Sequence, residues 1–261
     1  MMVHLITAIA TPTGAFSIGI TLLQAAMVCV TYNGERTNPM EYSKFASIKE
    51  DKLKNPIPSK LGMLIIYAPA TLVASLYAFS DHFPSSLVAP LIFLHFLKRT
   101  LETLGLHKYS GKMEAQNGCI IGTSYVLYTM LISSYAVPLG ANDEAWSTLG
   151  YAFFIVGIVG NFYHHVLLAS LRKDSSNKGE KRYQPPVGGA FSLVATPHFF
   201  FELLVWLGIA CVAQQVHAFL VLAAMTSYLT ARAKNTNEYY FVKFGKDEWP
   251  RSRKAIVPGV F

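Results

Sequence analysis

At 261 residues and 52% hydrophobic content, with no low-complexity linker or internal repeat, the chain reads as one membrane domain. Its formal net charge is +7, and all 22 Lys and Arg fall into four short clusters, at 36–60, 98–112, 172–182 and 232–254. A soluble protein spreads its positive charge over its whole surface; here one side of a membrane keeps the charge and the other side gets none.

The apolar gaps between the clusters count the helices, since a spanning helix needs roughly 20 apolar residues. The first gap holds one span, at about 5–30. No basic segment precedes it as in a secretory signal, so it is expected to be a retained helix. Residues 61–97 hold two short spans joined at Ser80-Asp81-His82-Phe83-Pro84, a turn sequence. Residues 113–171 hold two more around the polar Gly140-Ala141-Asn142-Asp143-Glu144 loop. Residues 183–231 hold another two, hinged near Gln214-Gln215. The expectation is an all-α bundle of seven transmembrane helices. An odd count separates the termini, and the basic clusters put the C-terminus in the cytosol and the N-terminus in the lumen. Residues 1–112 and 113–261 are expected to form the two halves of a single structural unit. Cys29, Cys119 and Cys211 stand alone in apolar runs and are expected to be buried, inert thiols.

Ionisable groups at membrane depth are costly and tend to face a cavity. The third span ends in Leu94-His95-Phe96-Leu97-Lys98-Arg99-Thr100-Leu101-Glu102, followed by His107-Lys108-Tyr109-Ser110. His95, Lys98, Arg99 and Glu102 share one helical arc at spacings of three and four. A helix end with snorkelling cations explains Lys108 and Lys112 but not His95 or Glu102. The fifth span carries Asn161, His164 and His165, with Arg172 beyond them; Asn161, His165 and Arg172 are placed to line one face. Adjacent helical residues point in different directions, so one histidine of the pair is expected to be structural. One such pair does not make a di-iron or zinc site, and no metal is expected.

Tyr183-Gln184-Pro185-Pro186-Val187-Gly188-Gly189 reads as a tight loop whose backbone can approach a ligand. Thr196-Pro197-His198-Phe199-Phe200-Phe201-Glu202 opens the sixth span with Pro197 in its first turn. That helix start, beside His198 and basic residues, suits an anion. Glu202, among aromatics, needs a partner. The last cluster, from Arg232 through Tyr239-Tyr240 to Arg253-Lys254-Ala255-Ile256-Val257-Pro258, is too aromatic for a disordered tail and is expected to fold back on the bundle. Two readings of the positive face stay open: topology with anionic lipid, or a phosphate-bearing ligand. No nucleic-acid partner is expected.

Taken together these segments resemble the steroid 5α-reductase family, which includes the trans-2-enoyl-CoA reductases of fatty-acid elongation. The resemblance is strongest over 150–261. It rests on Gly160-Asn161, Leu171-Arg172-Lys173, Tyr183 with Gly188-Gly189, Pro197 to Glu202 with Trp206-Leu207-Gly208, Arg232-Ala233, Tyr240, Lys243-Phe244, and Pro250 through Arg253-Lys254-Ala255 to Pro258 and Phe261. The His95 to Ser110 stretch is more similar to the enoyl-CoA branch and the Gly-Gly segment to the steroid branch; the whole looks like a plant- or alga-type member.

The resemblance implies NADPH held on the cytosolic side by Asn161, Arg172, Tyr183, Glu202, Arg232, Tyr240 and Arg253. His165 and His198 stand where the family has Asp and Asn. It further implies reduction of a carbon–carbon double bond conjugated to a carbonyl, in a long-chain enoyl-CoA or a sterol-like enone, in the endoplasmic reticulum membrane. The steroid branch has a Gln-Glu-x-Pro segment whose Glu helps hold the enone carbonyl. Here Ile66-Tyr67-Ala68-Pro69 puts Tyr67 in its place, and Phe96 replaces the partner tyrosine. Tyr67 or Tyr240 is then the expected donor to the carbonyl, with Lys98 as an additional electrophile; for Tyr67 an interfacial or core tyrosine is the plain alternative. A non-catalytic subunit of a larger membrane complex is the rival the missing pair suggests. A membrane methyltransferase ranks last, because no paired Glu follows Arg232.

Overall fold

The computed structural model describes residues 15–42, 45, 53–81, 83, 86–109, 111–137, 139–177, 184–257 and 259, the side chains of 15, 16 and 172–177 excepted. Its helices are α1 (Ala15–Thr37), α2 (Ser59–Phe79), α3 (Ala89–Leu101), α4 (Ala115–Ser134), α5 (Glu144–Asn177), α6 (Pro197–Ala213) and α7 (Val216–Glu248). Among the described residues, four helical stretches are long and apolar enough to cross a membrane: Ser17–Thr37, Ser59–Phe79, Glu144–Leu171 and Val216–Glu248; Pro197–Ala213 is a shorter apolar helix. Their outward faces carry large apolar side chains such as Leu22, Leu72, Phe79 and Val159, each more than half exposed. Such a surface suits hydrocarbon as solvent.

The breaks fall at residues with local reasons to break. Helix α2 stops at Phe79, just before the Ser80-Asp81 turn, and α5 starts at Glu144, at the end of the polar loop. Between α6 and α7, Gln214 adopts the left-handed conformation at φ 50°. Its side chain repays that strain by accepting from the Asp143 amide at 2.8 Å and donating to the Asp143 carbonyl at 2.9 Å. The hinge is thereby fastened to the start of α5.

The expected helical character holds with one short addition, whereas the cysteines depart from expectation. Pro56–Pro58 (β1) pairs antiparallel with Lys112–Glu114 (β2), Ile57 opposite Met113, and Glu114 caps the Lys54 and Asn55 amides at 2.8 and 2.9 Å. This clasp joins the starts of α2 and α4. Only Cys211 is buried; Cys29 and Cys119 project from outward helix faces, and all three are free thiols. The first expected span also differs. Its part before residue 15 lies outside the described residues, and α1 runs on to Thr37.

The largest helix interfaces are α5 with α6, α1 with α7, and α2 with α3 and α4. Helices α5 and α6 touch backbone to backbone. A Cβ on Gly208 would lie 2.6 Å from the Gly150 carbonyl oxygen and 2.6 Å from the Phe154 nitrogen. Small residues let helices approach this closely where lipid offers no hydrophobic drive. The core beside this seam is Trp206, Phe96, Ile92, Ile66 and Ile209.

Candidate active site

The site is built on the last turn of α3. Pro90 in its first turn sets the helix start, and the helix delivers His95, Lys98 and Arg99 to one side. The chain then winds as a π turn over Glu102–Leu106, a departure from regular helix often found at functional positions. Glu102, 2% exposed, is the hub. Its Oε2 accepts from Arg99 Nη1 at 2.7 Å and lies 3.0 Å from His165 Nδ1, and its Oε1 lies 2.8 Å from Lys98 Nζ. Glu102 lies beyond the apolar run. Burial pushes its carboxyl up, but the His165 hydrogen bond and the Arg99 and Lys98 charges outweigh that and hold it well below the usual carboxylate range. Two cations and an imidazole around one carboxylate are what a buried charge needs if it is not to cost several kcal/mol, on the order of the desolvation penalty.

From this hub the contacts reach three other helices. Arg99 Nη2 donates to the Tyr67 hydroxyl at 2.6 Å, and its Cζ lies 4.6 Å from the Tyr67 ring centroid. Tyr67 is buried in the core and stacks on Tyr125 with ring centroids 5.9 Å apart. Lys98 Nζ donates to Asn161 Oδ1 at 2.5 Å, and Asn161 Nδ2 donates to the His198 carbonyl at 2.8 Å. Asn161 thus ties α3 to the start of α6. Glu202 has the partner its surroundings require: His95 Nε2 lies 3.3 Å from its Oε1. The rings of His165 and His198 are 5.6 Å apart. Phe96 is fully buried between Tyr125 and Trp206. Tyr67, Lys98, Asn161, His165, His198 and Glu202 are therefore brought into one cluster.

The two adjacent histidines do different work. His165 joins the hub, whereas His164 places Nδ1 2.7 Å from the Gly160 carbonyl and accepts from the Ala190 amide on Nε2 at 3.1 Å. That second bond pins the Gly188-Gly189 loop, where φ is 87° and 51°. A Cβ on Gly189 would sit 2.8 Å from His164 Nε2. Both glycines are thus required by conformation, and Gly189 also by space.

The remaining candidates stand apart. Arg172 lies on α5 beyond His165, with its side chain outside the described residues, and Tyr183 is outside them as well. Arg232 is almost fully buried and turned toward α1. Its Nη1 donates to Glu35 Oε1 at 2.6 Å, its Nη2 to the Tyr42 carbonyl at 3.0 Å, and its Cζ lies 3.6 Å from the Tyr42 ring centroid. Tyr240 belongs to a separate aromatic cluster with Trp249, ring centroids 4.7 Å apart, on which Arg253 stacks at 3.9 Å. The tail does fold back: the Ala195 and Thr196 amides donate to the Lys254 and Ala255 carbonyls at 2.8 and 3.1 Å. Arg253 Nε is buried there without a hydrogen-bond acceptor among the described residues.

Sequence reasoning passed over Arg99 as a functional residue, and Glu35 and Tyr125 altogether. Glu35 had a signal, as an acid at the end of an apolar run beside the first basic residue, Arg36. Tyr125 had none. Glu102, His107 and His165 also offer ligand atoms within 4.8 Å of one another, a spacing a metal ion could use. Arg99 Nη1, 2.7 Å from Glu102 and 2.9 Å from His165 Nδ1, already places a cation among them.

Apolar helices around a buried, charge-compensated polar cluster define a membrane-type helical protein with an internal site. Residues 113–261 match the family described as 3-oxo-5-alpha-steroid 4-dehydrogenase. A Schizosaccharomyces pombe protein named as an enoyl reductase is 30% identical over 177 residues, 64% of this chain but only 57% of its own length. The Rattus norvegicus 3-oxo-5-alpha-steroid 4-dehydrogenase 1 is 28% identical over 183 residues, 68% of either chain. The Homo sapiens protein of that name is 24% identical over 255 residues, 93% of this chain and 94% of its own. The chain belongs to this oxidoreductase family of steroid 5α-reductases and enoyl reductases.

Proposed function

We propose that the protein reduces a carbon–carbon double bond conjugated to a carbonyl in a lipid substrate, using NADPH. The observation that carries this reading is the Tyr67 hydroxyl, buried and bonded to Arg99 at 2.6 Å in place of the steroid branch's carboxylate. A phenol held by a cation is suited to donate to an oxygen that gains negative charge.

The residues present fit the cofactor. The Gly188-Gly189 loop brings bare backbone to a surface pinned by His164, Asn161, His165 and His198 converge beside Glu102, and Arg253 has a buried Nε without an acceptor among the described residues. Asn161, Arg172, Tyr183 and Arg253 would hold NADPH, with Glu202, His165 and His198 shaping the wall. NADPH, when bound, supplies hydride to the β-carbon. Tyr67 donates a hydrogen bond to the enolate oxygen, Lys98 adds positive charge on the same side, and the α-carbon takes a proton from water to complete the reduction. Phe96 cannot donate, so Tyr67 carries the role that a pair fills in the steroid branch. The loss of that pair favours an acyl or other lipid enone over a steroid, and the basic face suits the phosphates of a coenzyme A ester. In the same reading the bundle spans the endoplasmic reticulum membrane seven times with its C-terminus cytosolic.

The test is NADPH oxidation by detergent-purified protein with a long-chain trans-2-enoyl-CoA and with a Δ4-3-oxo steroid. Turnover of either supports the reading and selects the branch. Absence of both binding and turnover, with co-purification of a larger membrane complex, supports the non-catalytic subunit instead.

A further inference from the structure

We infer that Arg99 is the positioning residue for the Tyr67 hydroxyl, and that the two act as one donor aimed at the substrate carbonyl. The inference rests on the reductase reading above and assigns its oxyanion-stabilising element. An arginine has only donors to offer. The Tyr67 oxygen accepts from Arg99 Nη2, and among the described residues nothing accepts the Tyr67 hydroxyl proton. That proton is left for a ligand. Accepting from a cation draws electron density from the phenol and strengthens it as a donor.

The geometry is fixed from both sides. Arg99 Nη1 donates to Glu102 at 2.7 Å, which restrains the guanidinium. On α2, Thr71 Oγ1 bonds the Tyr67 carbonyl at 3.0 Å and Thr100 Oγ1 at 2.8 Å, locking α2 to α3 one residue from Arg99. The Tyr67 ring lies nearly parallel to Tyr125, 16° between planes, which sets the direction of the hydroxyl. Lys98, held by Asn161 and Glu102, supplies charge beside the pair. Catalytic donors depend on this kind of preorganisation, in which the supporting residues cost nothing at the moment of reaction.

The test combines a double-mutant cycle with the infrared carbonyl band of a bound enone. Tyr67→Phe is expected to lower kcat about 100- to 1,000-fold with KM little changed, as for loss of one oxyanion donor. Arg99→Ala is expected to lower kcat strongly in the parent but by no more than about 2-fold in the Tyr67→Phe background, since two groups acting as a unit are not additive. Guanidinium added to the medium should restore Arg99→Ala, and not the double variant. If Arg99→Ala fails to fold, Arg99→Lys keeps the charge, loses the fork, and should show the same non-additivity. The carbonyl band of the bound enone is expected to lie lower in the parent than in Tyr67→Phe, with Arg99→Lys between; this needs binding and no turnover. Additive losses, or a carbonyl band indifferent to both residues, would overturn the pairing while leaving the reductase reading intact. Failure to bind or turn over any enone would overturn both.

Discussion

Arg232 and Glu35 form an ion pair of 2.6 Å across 197 residues of sequence, each almost fully buried, where α7 meets the end of α1. Asn235, one turn further along α7, donates to the Glu35 carbonyl at 2.7 Å and accepts from Arg36. The first helix is thereby fastened to the last at its charged end. Removing Arg232 would strand a buried carboxylate, which costs about 3–5 kcal/mol. Arg232→Ala is expected to lower the melting temperature in detergent sharply, and Glu35→Gln to lower it less. An unchanged melt with lost NADPH binding would return Arg232 to the cofactor role that the family resemblance implies.

Gly189→Ala asks for a side chain at φ 51°, 2.8 Å from His164 Nε2. Strain of this kind costs about 1–3 kcal/mol, and His164 cannot give way without losing its bond to the Ala190 amide. The expected outcome is a destabilised protein with weaker nucleotide binding, measured by melting and by fluorescence titration with NADPH. A variant with both properties intact would show that this loop is a plain turn.

Much of the layout could be read because a bilayer rejects Lys and Arg. The basic clusters mark where the chain leaves the apolar phase, and the Gly140 loop, the Gln214 hinge and the Pro197 helix start each carry local turn or capping chemistry. The arc of His95, Lys98, Arg99 and Glu102 was legible from helical spacing, as was the divergence of His164 from His165. Contacts between distant elements were not. Nothing in the sequence around Glu35 names Arg232, and nothing around Tyr67 names Arg99. Strands of three residues flanked by proline are too short to show periodicity. The tail cluster was legible as folded but not as helix. Helix α7 runs on to Glu248 because no proline interrupts it, and its one break in regular conformation is Gly245 at φ 78°.

Arg172 lies on α5 seven residues beyond His165, and the family resemblance gives it a cofactor-binding role. A hydrogen bond to a charged group is worth about 1.5–3 kcal/mol, which corresponds to roughly 10- to 150-fold in affinity. Arg172→Ala is therefore expected to weaken NADPH binding by that factor while leaving the melting temperature of the cofactor-free protein unchanged. Equal binding by parent and variant would count against the placement of the phosphates at this end of α5.

The orientation of the bundle is open to direct labelling. Lys98, Arg99 and Glu102 stand at the end of α3, whereas Gln214, Asp143 and Ser147 form a second polar knot without Lys or Arg, held by bonds of 2.8 to 3.1 Å. A short loop that carries acid but no cation is tolerated on the lumenal side, since the positive-inside bias counts Lys and Arg and hardly counts Asp and Glu. A glycosylation acceptor inserted at 140–142 should be modified in microsomes, and one inserted at 250–254 should not. Modification of the second site alone would invert the topology and put the buried cluster at the lumenal end, where cytosolic NADPH could not reach it. Modification at both sites would place the tail in the lumen with the loop and require an even number of crossings between them, against the three that α5, α6 and α7 provide if all span fully. The length of α6, Pro197–Ala213, makes this the sensitive point. At 1.5 Å per residue it covers about 25 Å, short of the roughly 30 Å hydrocarbon core, so the Gln214 hinge is expected to sit slightly below the lumenal interface.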